Sequence, residues 1–247
     1  MLVGTADAAA LFKERAVEMT RIDTDAEMLE DVVVLQVLCE IESSEECAML
    51  PPGLHPSLPP LVNWQAWSVP ASPWGPFTLA TTRIECRSGL RPRGLLTGAF
   101  SNSAAAAEAL RERWGYSVRV AEVALERRYD EVRCSVALPG PDDEILDIGL
   151  RDPVPLGMTD VQYVASLHAA NTERGLRLVQ CDPRIEPERA ERGQPIIDHF
   201  DAGAWGEERI APFYPVSASV VTAQVTLPRL RFVCRPGEMA FTGTEHV

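Results

Sequence analysis

The sequence predicts a fold of the α+β class. Several short stretches rich in β-branched and aromatic residues are separated by clusters of Pro, Gly and Ser, a pattern typical of antiparallel strands joined by turns. One segment, residues 104–114, has instead the composition of a stable helix. A mostly β chain with a single strong helix favours the α+β class.

The composition is that of a globular protein. The 247 residues are 46% hydrophobic and 24% charged, enough for one large core. A formal net charge of −13 argues against nucleic acid and anionic membrane surfaces as partners. The six cysteines form no CxxC pair, and no transmembrane or targeting segment is visible, so we expect a reduced, cytoplasmic protein.

The residue composition and the pattern of apolar residues divide the chain into three parts. Residues 1–30 carry apolar residues at helical spacing among many acids, which predicts an N-terminal helical extension. Residues 31–236 contain the strand-like stretches and form the predicted main domain. Residues 237–247 have little core-forming character, so we expect this tail to fray.

The predicted strands follow one another through the main domain. The first is the branched run after Asp31, and two further groups, within 175–187 and 217–236, lie near the end of the domain. The strongest stretches between them are residues 61–69, 77–86, 94–101, 117–129 and 131–139.

The one predicted helix, Ala104 to Trp114, has four successive alanines and an i,i+3 pair of Glu108 and Arg111. Gly115 follows it as a C-terminal stop signal.

Common catalytic motifs are missing from the chain. It has no GxGxxG, Walker A or GxSxG sequence, so neither a nucleotide cofactor nor α/β-hydrolase chemistry is indicated. The four histidines are isolated from one another and from cysteines at zinc spacing. We therefore expect no metal ion and no cofactor.

Residues 100–125, FSNSAAAAEALRERWGYSVRVAEVAL, resemble the region around the catalytic lysine of the acetoacetate decarboxylase family. Arg111-Glu112 matches the family's Arg-Glu pair and Tyr116 matches its aromatic residue. Further similar segments, LPPGLHPSLPPLVNWQAW, WGPFTLATT and YPVSASVVTAQVTLPRLRFV, extend the resemblance over about residues 31–236. The resemblance implies an antiparallel, cone-like β-barrel with flanking helices, assembled into homo-oligomers.

The departures from the family pattern affect its charged catalytic groups. The two family lysines, one of which forms an imine with the substrate, fall at Val118 and Arg119, neither of which is an amine nucleophile. The family's glutamate falls at Leu79, a second acidic position falls at Gln65, and its carboxylate-binding arginine falls near Val32. Lys13 is the only lysine of the chain and lies outside the matched region, so Schiff-base decarboxylation is not expected.

Arg83 and Glu85 are the candidates for a replacement mechanism. In a regular strand they share a face with Leu79 and Thr81, because side chains alternate with period two. Leu79 would face the family pocket, so Arg83 could bind an enolate there and Glu85 could act as a base. The alternative is an ion pair on the solvent face, or a bulge that breaks the alternation.

Two more candidates come from the resemblance. Arg119 stands at the position of a family lysine and could hold a substrate carboxylate, unless it points to solvent. Tyr116 could donate a hydrogen bond in the pocket, or it could simply pack beneath the turn. We predict Glu85, Arg83, Tyr116 and Arg119 as catalytic residues.

A second set of residues is predicted to contact the substrate. For each of them, ordinary core packing is the alternative, and a lone histidine is more often structural than catalytic. The set consists of Trp64, Gln65, Leu79, Phe100, Val118 and His168.

The sequence thus predicts an enzyme of specialised metabolism that acts on a β-keto or other polarised carbonyl compound without a Schiff base. Acid–base and electrostatic catalysis would suit a cyclase, dehydratase, isomerase or lyase. The alternative is a binding or accessory protein that holds a small molecule without turning it over. A residual decarboxylase would require a trappable amine.

Overall fold

The computed structural model describes residues 2–42, 45–140 and 143–247. Its helical elements are short except for one. They are α1 (Ala8–Phe12), α2 (Glu46–Met49), α3 (Ala104–Trp114), α4 (Ala240–Gly243) and a 3₁₀ turn at Met158–Asp160. No helix in these ranges is long and apolar enough to cross a membrane.

Strands make up most of the structure. They are β1 (Val17–Glu18), β2 (Glu27–Ile41), β3 (His55–Pro56), β4 (Leu61–Val69), β5 (Phe77–Ser88), β6 (Arg91–Ser101), β7 (Val118–Val120), β8 (Glu122–Arg127), β9 (Glu131–Ala137), β10 (Glu144–Pro155), β11 (Ser166–Thr172), β12 (Gly175–Cys181), β13 (Arg184–Phe200), β14 (Pro212–Leu227), β15 (Phe232–Cys234) and β16 (Thr244–His246).

All sixteen strands belong to one sheet, whose main path runs in the order β16-β15-β12-β11-β6-β5-β4-β2-β14-β13-β10-β9-β8. Most neighbours are antiparallel, as the sequence predicts, while β11 and β7 each pair with β6 in parallel. In the described ranges, no ladder joins the end strands β8 and β16, so the sheet is open. The predominantly antiparallel arrangement that the resemblance implies is therefore present, with its strands in one open sheet.

The sheet separates two groups of buried side chains, because successive residues of a strand point to opposite faces. We call one group the Trp64 cluster; it includes Val37, Trp64, Phe100 and Trp205. The other is the Tyr116 cluster; it includes Val34, Trp67, Leu79, Tyr116, Val118 and Cys181. The candidate site lies on the face of the Tyr116 cluster.

The N-terminal segment differs from the predicted helical extension. Only Ala8–Phe12 is helical, and β1 pairs with β11 of the main sheet. Phe12 and Met19 are buried in the two clusters, and Arg15 pairs with Glu207 at 2.9 Å. These apolar residues are held by the sheet, so their spacing reflects tertiary packing rather than a continuous helix.

The C-terminal tail also differs from expectation, since α4 and β16 order it. β16 pairs with β15, and Glu245 lies 3.1 Å from Arg177 and 3.3 Å from Arg235. These ion pairs and the ladder hydrogen bonds hold a segment whose apolar content is too small to predict a fixed structure.

Helix α3 has the predicted boundaries. Ser103 caps its N-terminus by accepting a hydrogen bond from the Ala106 amide at 3.3 Å. Gly115 ends it with φ of +73°, a left-handed conformation that suits glycine. A Cβ atom at Gly115 would lie 3.0 Å from Met19 Sδ, so a larger residue would also have to displace that side chain.

Candidate functional site

Strand β5 places Arg83 and Glu85 inside the protein. The two side chains are 3% and 7% exposed, and they lie on the same face as Leu79, which belongs to the Tyr116 cluster. The irregularity in this ladder lies opposite Thr82/Arg83, where β6 contributes an extra residue, so β5 itself keeps its alternation. Arg83 and Glu85 therefore do not form an ion pair on the solvent face, which was the alternative interpretation of the sequence.

A hydrogen-bonded set of amides holds the two charged groups. Asn63 Nδ2 donates to Glu85 Oε1 at 2.7 Å, and Arg83 Nη2 donates to Gln65 Oε1 at 2.5 Å. Gln36 Oε1 accepts from both amides, from Gln65 at 2.8 Å and from Asn63 at 3.3 Å. This network ties the neighbouring strands β2, β4 and β5 together and fixes the rotamers of Arg83 and Glu85.

Burial changes the acidity of Glu85. Loss of solvent around the carboxylate raises its pKa to about 7, although the hydrogen bond from Asn63 and the charge of Arg83 act in the opposite direction. Both the protonated and the ionised form are therefore populated near neutral pH. A carboxyl group with this pKa suits proton transfer in both directions.

Arg83 is a buried cation that forms no salt bridge within 4.0 Å in the described part of the chain, although the charge of Glu85 acts on it from a longer distance. Its Nη2 also donates to Thr81 Oγ1 at 3.2 Å, whereas its buried Nε atom has no hydrogen-bond partner there. Burial lowers the pKa of the guanidinium. A cation in this situation is costly to bury, and an anion that reaches it would relieve that cost.

Tyr116 and His168 form the second half of the site. Their ring centroids are 4.0 Å apart, and both residues are completely buried. His168 Nδ1 lies 2.7 Å from the carbonyl oxygen of Trp114, the last residue of α3. A neutral imidazole that donates this bond carries a lone pair on Nε2, an atom with no partner in the described ranges.

The two halves of the site influence each other electrostatically. Burial lowers the pKa of His168 to about 3, and the positive charge of Arg83 adds to that effect. Burial also raises the pKa of Tyr116 well above its usual value. Tyr116 is thus a neutral hydroxyl at physiological pH, and its closest polar neighbours are the Ser166 hydroxyl and the Cys181 thiol.

Ser166 and Cys181 complete this half of the site and were not identified from the sequence. Both act on the pKa of Tyr116, and Ser166 is completely buried on the same strand and face as His168. Burial raises the pKa of the Cys181 thiol to about 12, so it is a thiol rather than a thiolate.

Asn63 and Gln36 were also missed, although the sequence contains a signal for them. Gln36 is the one amide in VVVLQVLC, and Asn63 lies two residues before Gln65 in the otherwise apolar LVNWQAW. Buried amides must find hydrogen-bond partners, so isolated polar residues in such strands indicate an internal polar network.

Four of the predicted substrate-contacting residues lie on the face of the Tyr116 cluster: Gln65, Leu79, Val118 and His168. Trp64 and Phe100 do not, because both belong to the Trp64 cluster on the opposite face. Trp64 packs edge-on against Phe200, and Phe100 packs against Trp205.

Arg119 also lies apart from Arg83 and Glu85. Its guanidinium carbon lies 4.3 Å from the Phe100 ring centroid, and its Nη2 donates to the Ala204 carbonyl. This follows from strand alternation, which turns Arg119 away from the face that Val118 occupies. The neighbouring Val118 is 1% exposed, so a buried aliphatic side chain stands where the sequence resemblance places the family's imine-forming lysine.

Among the described residues, no three His, Cys, Asp or Glu side chains are grouped so that they could hold a metal ion. Lys13 lies at the C-terminal end of α1 and is exposed.

Comparison with solved structures identifies the fold. The chain superposes on acetoacetate decarboxylase from Legionella pneumophila with a TM-score of 0.72 and 17% sequence identity, over 93% of this chain and 97% of that one. A second acetoacetate decarboxylase gives 0.70 and 14%, over 84% and 88% of the two chains. The enduracididine biosynthesis enzyme MppR, complexed with pyruvate, gives 0.66 and 15%, over 85% and 90%.

Sequence comparisons give a different result: no protein-family model and no curated protein sequence matches the chain. The likeness therefore rests on the three-dimensional structure, which agrees with the order and spacing of the segments compared above. The chain has the fold of acetoacetate decarboxylase.

Proposed function

We propose that the chain is an enzyme that moves a proton on a small carboxylic acid containing a carbonyl group. Arg83 binds the negative charge of the substrate and Glu85 transfers the proton. The observation that carries this proposal is the presence, on one face of β5, of a buried arginine that forms no salt bridge in the described ranges and a buried glutamic acid whose pKa is about 7.

The substrate class follows from Arg83. A guanidinium group recognises carboxylate and enolate oxygens through several directed N–H donors, and Gln65 and Thr81 occupy only one of its nitrogens. Neutral Tyr116 and the surrounding aliphatic residues suit the uncharged part of a small ligand. A protein of the same fold, MppR, binds pyruvate, which belongs to this class of compounds.

The proposed step uses both protonation states of Glu85. Its carboxylate takes a proton from the carbon next to the substrate carbonyl. The C–H electron pair forms the C=C bond of an enolate, and the π pair of the carbonyl moves to its oxygen. Arg83 stabilises the enolate oxygen, and the protonated Glu85 then returns the proton to carbon or to a departing group. This transfer is shared by isomerisation, dehydration and cyclisation.

An imine mechanism is not part of the proposal. Val118 has no amine, and the only lysine, Lys13, is exposed at the end of α1. The proposed step needs no covalent link between enzyme and substrate, because Arg83 supplies the charge stabilisation that the imine nitrogen provides in a Schiff-base reaction.

Exchange of substrate protons with solvent tests the proposal. Pyruvate, 2-oxobutyrate and acetoacetate are incubated with the protein in D₂O, and NMR follows the protons next to the carbonyl. We expect faster exchange with the native protein and none above background with Glu85→Gln. Glu122→Gln, which changes an exposed glutamate of β8, is the matched control and retains the native rate.

The second candidate is a binding protein without turnover, and Val118 at the position of the family lysine favours it. The same samples distinguish the two. Saturable binding of these acids with no exchange in the native protein would support the binding protein and contradict the enzyme, whereas loss of exchange together with retained binding in Glu85→Gln would support the enzyme.

A further inference from the structure

A cavity lies apart from Arg83 and Glu85, between the N-terminal segment, helix α3 and the strands β6 and β7. Its volume is about 630 Å³. We call it the Lys13 groove. Its residues come from α1 and the turn after it, from the Thr97–Gly98 irregularity of β6, from the β7 region and from the Gly203–Gly206 loop.

The charge of the Lys13 groove is opposite to that of the whole chain. Its lining contains four basic residues and one acidic residue, Glu14, in a protein with a formal net charge of −13. The basic residues are Lys13, Arg15, Arg111 and Arg119. A concave surface with several cations concentrates anions, and the chain uses its only lysine here.

Three of these cations have no carboxylate partner in the part of the chain that the structure describes: Lys13, Arg111 and Arg119. Two are nevertheless held in place. Arg111 Nη2 donates to the Val118 carbonyl at 2.5 Å, and Arg119 donates to the Ala204 carbonyl while stacking on Phe100. Each of these bonds uses one of the five donors of a guanidinium, so fixed donors remain for a ligand.

Arg15 adds a buried donor. Its Nη2 is paired with Glu207 at 2.9 Å, which orients the side chain, whereas its Nη1 is buried and has no hydrogen-bond partner among the described residues. A buried guanidinium nitrogen without a partner carries an energetic cost that an acceptor oxygen in the groove would remove.

The groove also has an apolar side. Ala10, Leu11, Ala16 and Val17 of the N-terminal segment line it together with the cations. A free inorganic anion would leave most of the volume and this apolar surface unused, whereas an organic molecule bearing an anionic group would contact both.

We propose that the Lys13 groove binds the phosphate monoester of a small organic molecule. A phosphate monoester carries close to two negative charges at neutral pH and three acceptor oxygens, which match several cations converging from different elements. The organic part lies against Leu11 and Val17. The site is separate from Arg83 and Glu85, so the inference does not depend on the proposed enzymatic activity.

Calorimetric titration with phenyl phosphate and with inorganic phosphate tests the groove at low ionic strength. We expect saturable binding of phenyl phosphate with a Kd below about 1 mM, and at least fivefold weaker binding of inorganic phosphate. Lys13→Gln, which changes an exposed side chain, weakens phenyl phosphate at least threefold, and adding Arg119→Gln removes the binding. Arg231→Gln removes an exposed arginine outside the groove and is the charge-matched control; it leaves binding unchanged.

Three results would overturn the inference. The first is the absence of saturable binding of phenyl phosphate at millimolar concentration, and the second is an equal loss of binding in Lys13→Gln and Arg231→Gln, which would indicate a general charge effect. The third is equal or tighter binding of inorganic phosphate, since the apolar side of the groove would then take no part. Circular dichroism of each variant verifies that a loss of binding is not a loss of folding.

Discussion

Asn63 Nδ2 donates a 2.7 Å hydrogen bond to Glu85 Oε1 across the β4–β5 ladder. The bond stabilises the ionised form of a carboxyl group that burial otherwise keeps protonated. The amide thus brings the pKa of Glu85 down to a value where the group can both accept and release a proton near pH 7. Asn63 acts as a positioning residue for Glu85.

Replacing Asn63 by leucine, a side chain of similar size, removes the donor. We expect the pKa of Glu85 to rise, and the acidic limb of the exchange-rate profile to move up by about one pH unit, because hydrogen bonds to charged groups contribute roughly 1.5–3 kcal/mol. The profile of exchange rate against pH measures this shift. A lower rate with an unmoved profile would mean that Asn63 only supports the strand packing.

Glu85 also makes the stability of the fold depend on pH. Its pKa is raised from the usual 4.5 to about 7, so the folded state holds the proton more tightly than the unfolded state. The resulting stabilisation is complete below about pH 4.5 and is lost as the pH rises through about 7. The free energy of unfolding is therefore lower by roughly 3 kcal/mol well above pH 7 than below pH 4.5.

Glu85→Gln removes this dependence, because an amide does not titrate. Urea unfolding measures the free energy of unfolding of both proteins at pH 5 and at pH 8. Between these pH values the native protein should lose roughly 2–3 kcal/mol more than Glu85→Gln does. Glu122→Gln serves again as the control and should show no such change. If the free energies of unfolding of Glu85→Gln and the native protein differed by the same amount at both pH values, the pKa of Glu85 would not be raised in the folded protein.

His168 produces the opposite dependence. Its pKa falls from 6.5 to about 3 on folding, so the stability it contributes is complete above about pH 6.5 and decreases as the pH falls toward 3. His168→Asn keeps an amide donor for the Trp114 carbonyl but does not titrate. We expect this variant to lose less stability than the native protein between pH 7 and pH 4.

Thermal unfolding at these two pH values measures the effect of His168→Asn. The variant itself loses about 1–3 kcal/mol at pH 7 from imperfect packing, which leaves the comparison between pH values unaffected. If native protein and variant lost the same stability on acidification, the imidazole would not be buried in its neutral form.

Arg83 can be tested for binding separately from folding. Arg83→Met keeps a long side chain and removes a buried charge that forms no salt bridge in the described ranges. We expect the variant to be as stable as the native protein or more so, because buried charges are costly. Its affinity for pyruvate should fall at least tenfold, since the ligand loses the guanidinium that we propose binds its carboxylate.

Thermal unfolding with and without pyruvate measures both the stability and the affinity of Arg83→Met. The Tm without ligand reports its stability, and the rise in Tm with added pyruvate reports its affinity. Ile84→Met is the matched control, because it changes a buried apolar side chain of the same strand on the opposite face without removing charge. An Arg83→Met protein that unfolds much more readily and binds pyruvate as the native protein does would assign Arg83 a structural role.

Much of this fold follows from local sequence signals. Strand β4 and helix α3 have the boundaries that residue type and capping predict, because alternation, alanine content and a terminal glycine act locally. Leu11, Ala16 and Met19 are misleading for the same reason: their spacing resembles a helix, but contacts with distant parts of the sheet determine their conformation. Local patterns cannot contain those contacts.

The candidate site likewise contains residues whose positions follow from local sequence and residues whose positions depend on distant contacts. Period-two alternation places Arg83 and Glu85 on one face, which the strand β5 alone can determine. The positions of Trp64, Phe100 and Arg119 depend instead on which face of the sheet covers the site, a property of the whole sheet. Ser166 and Cys181 reach the site through the pairing of β11 with β12, a contact that no short motif records.

Val118→Lys tests whether the buried face still has the geometry of the fold's imine chemistry. Val118 is 1% exposed and belongs to the same cluster as Tyr116, so a lysine there would place its amine in a site without water. Burial lowers the pKa of such an amine and leaves it nucleophilic at neutral pH.

With acetoacetate and borohydride, intact-mass spectrometry should detect an adduct on residue 118 of the variant and none on the native protein. Val120→Lys, at an exposed position two residues along β7, controls for nonspecific reduction. An adduct on the native protein would return amine catalysis to this chain, whereas equal labelling of both variants would show that residue 118 has no special access to the substrate.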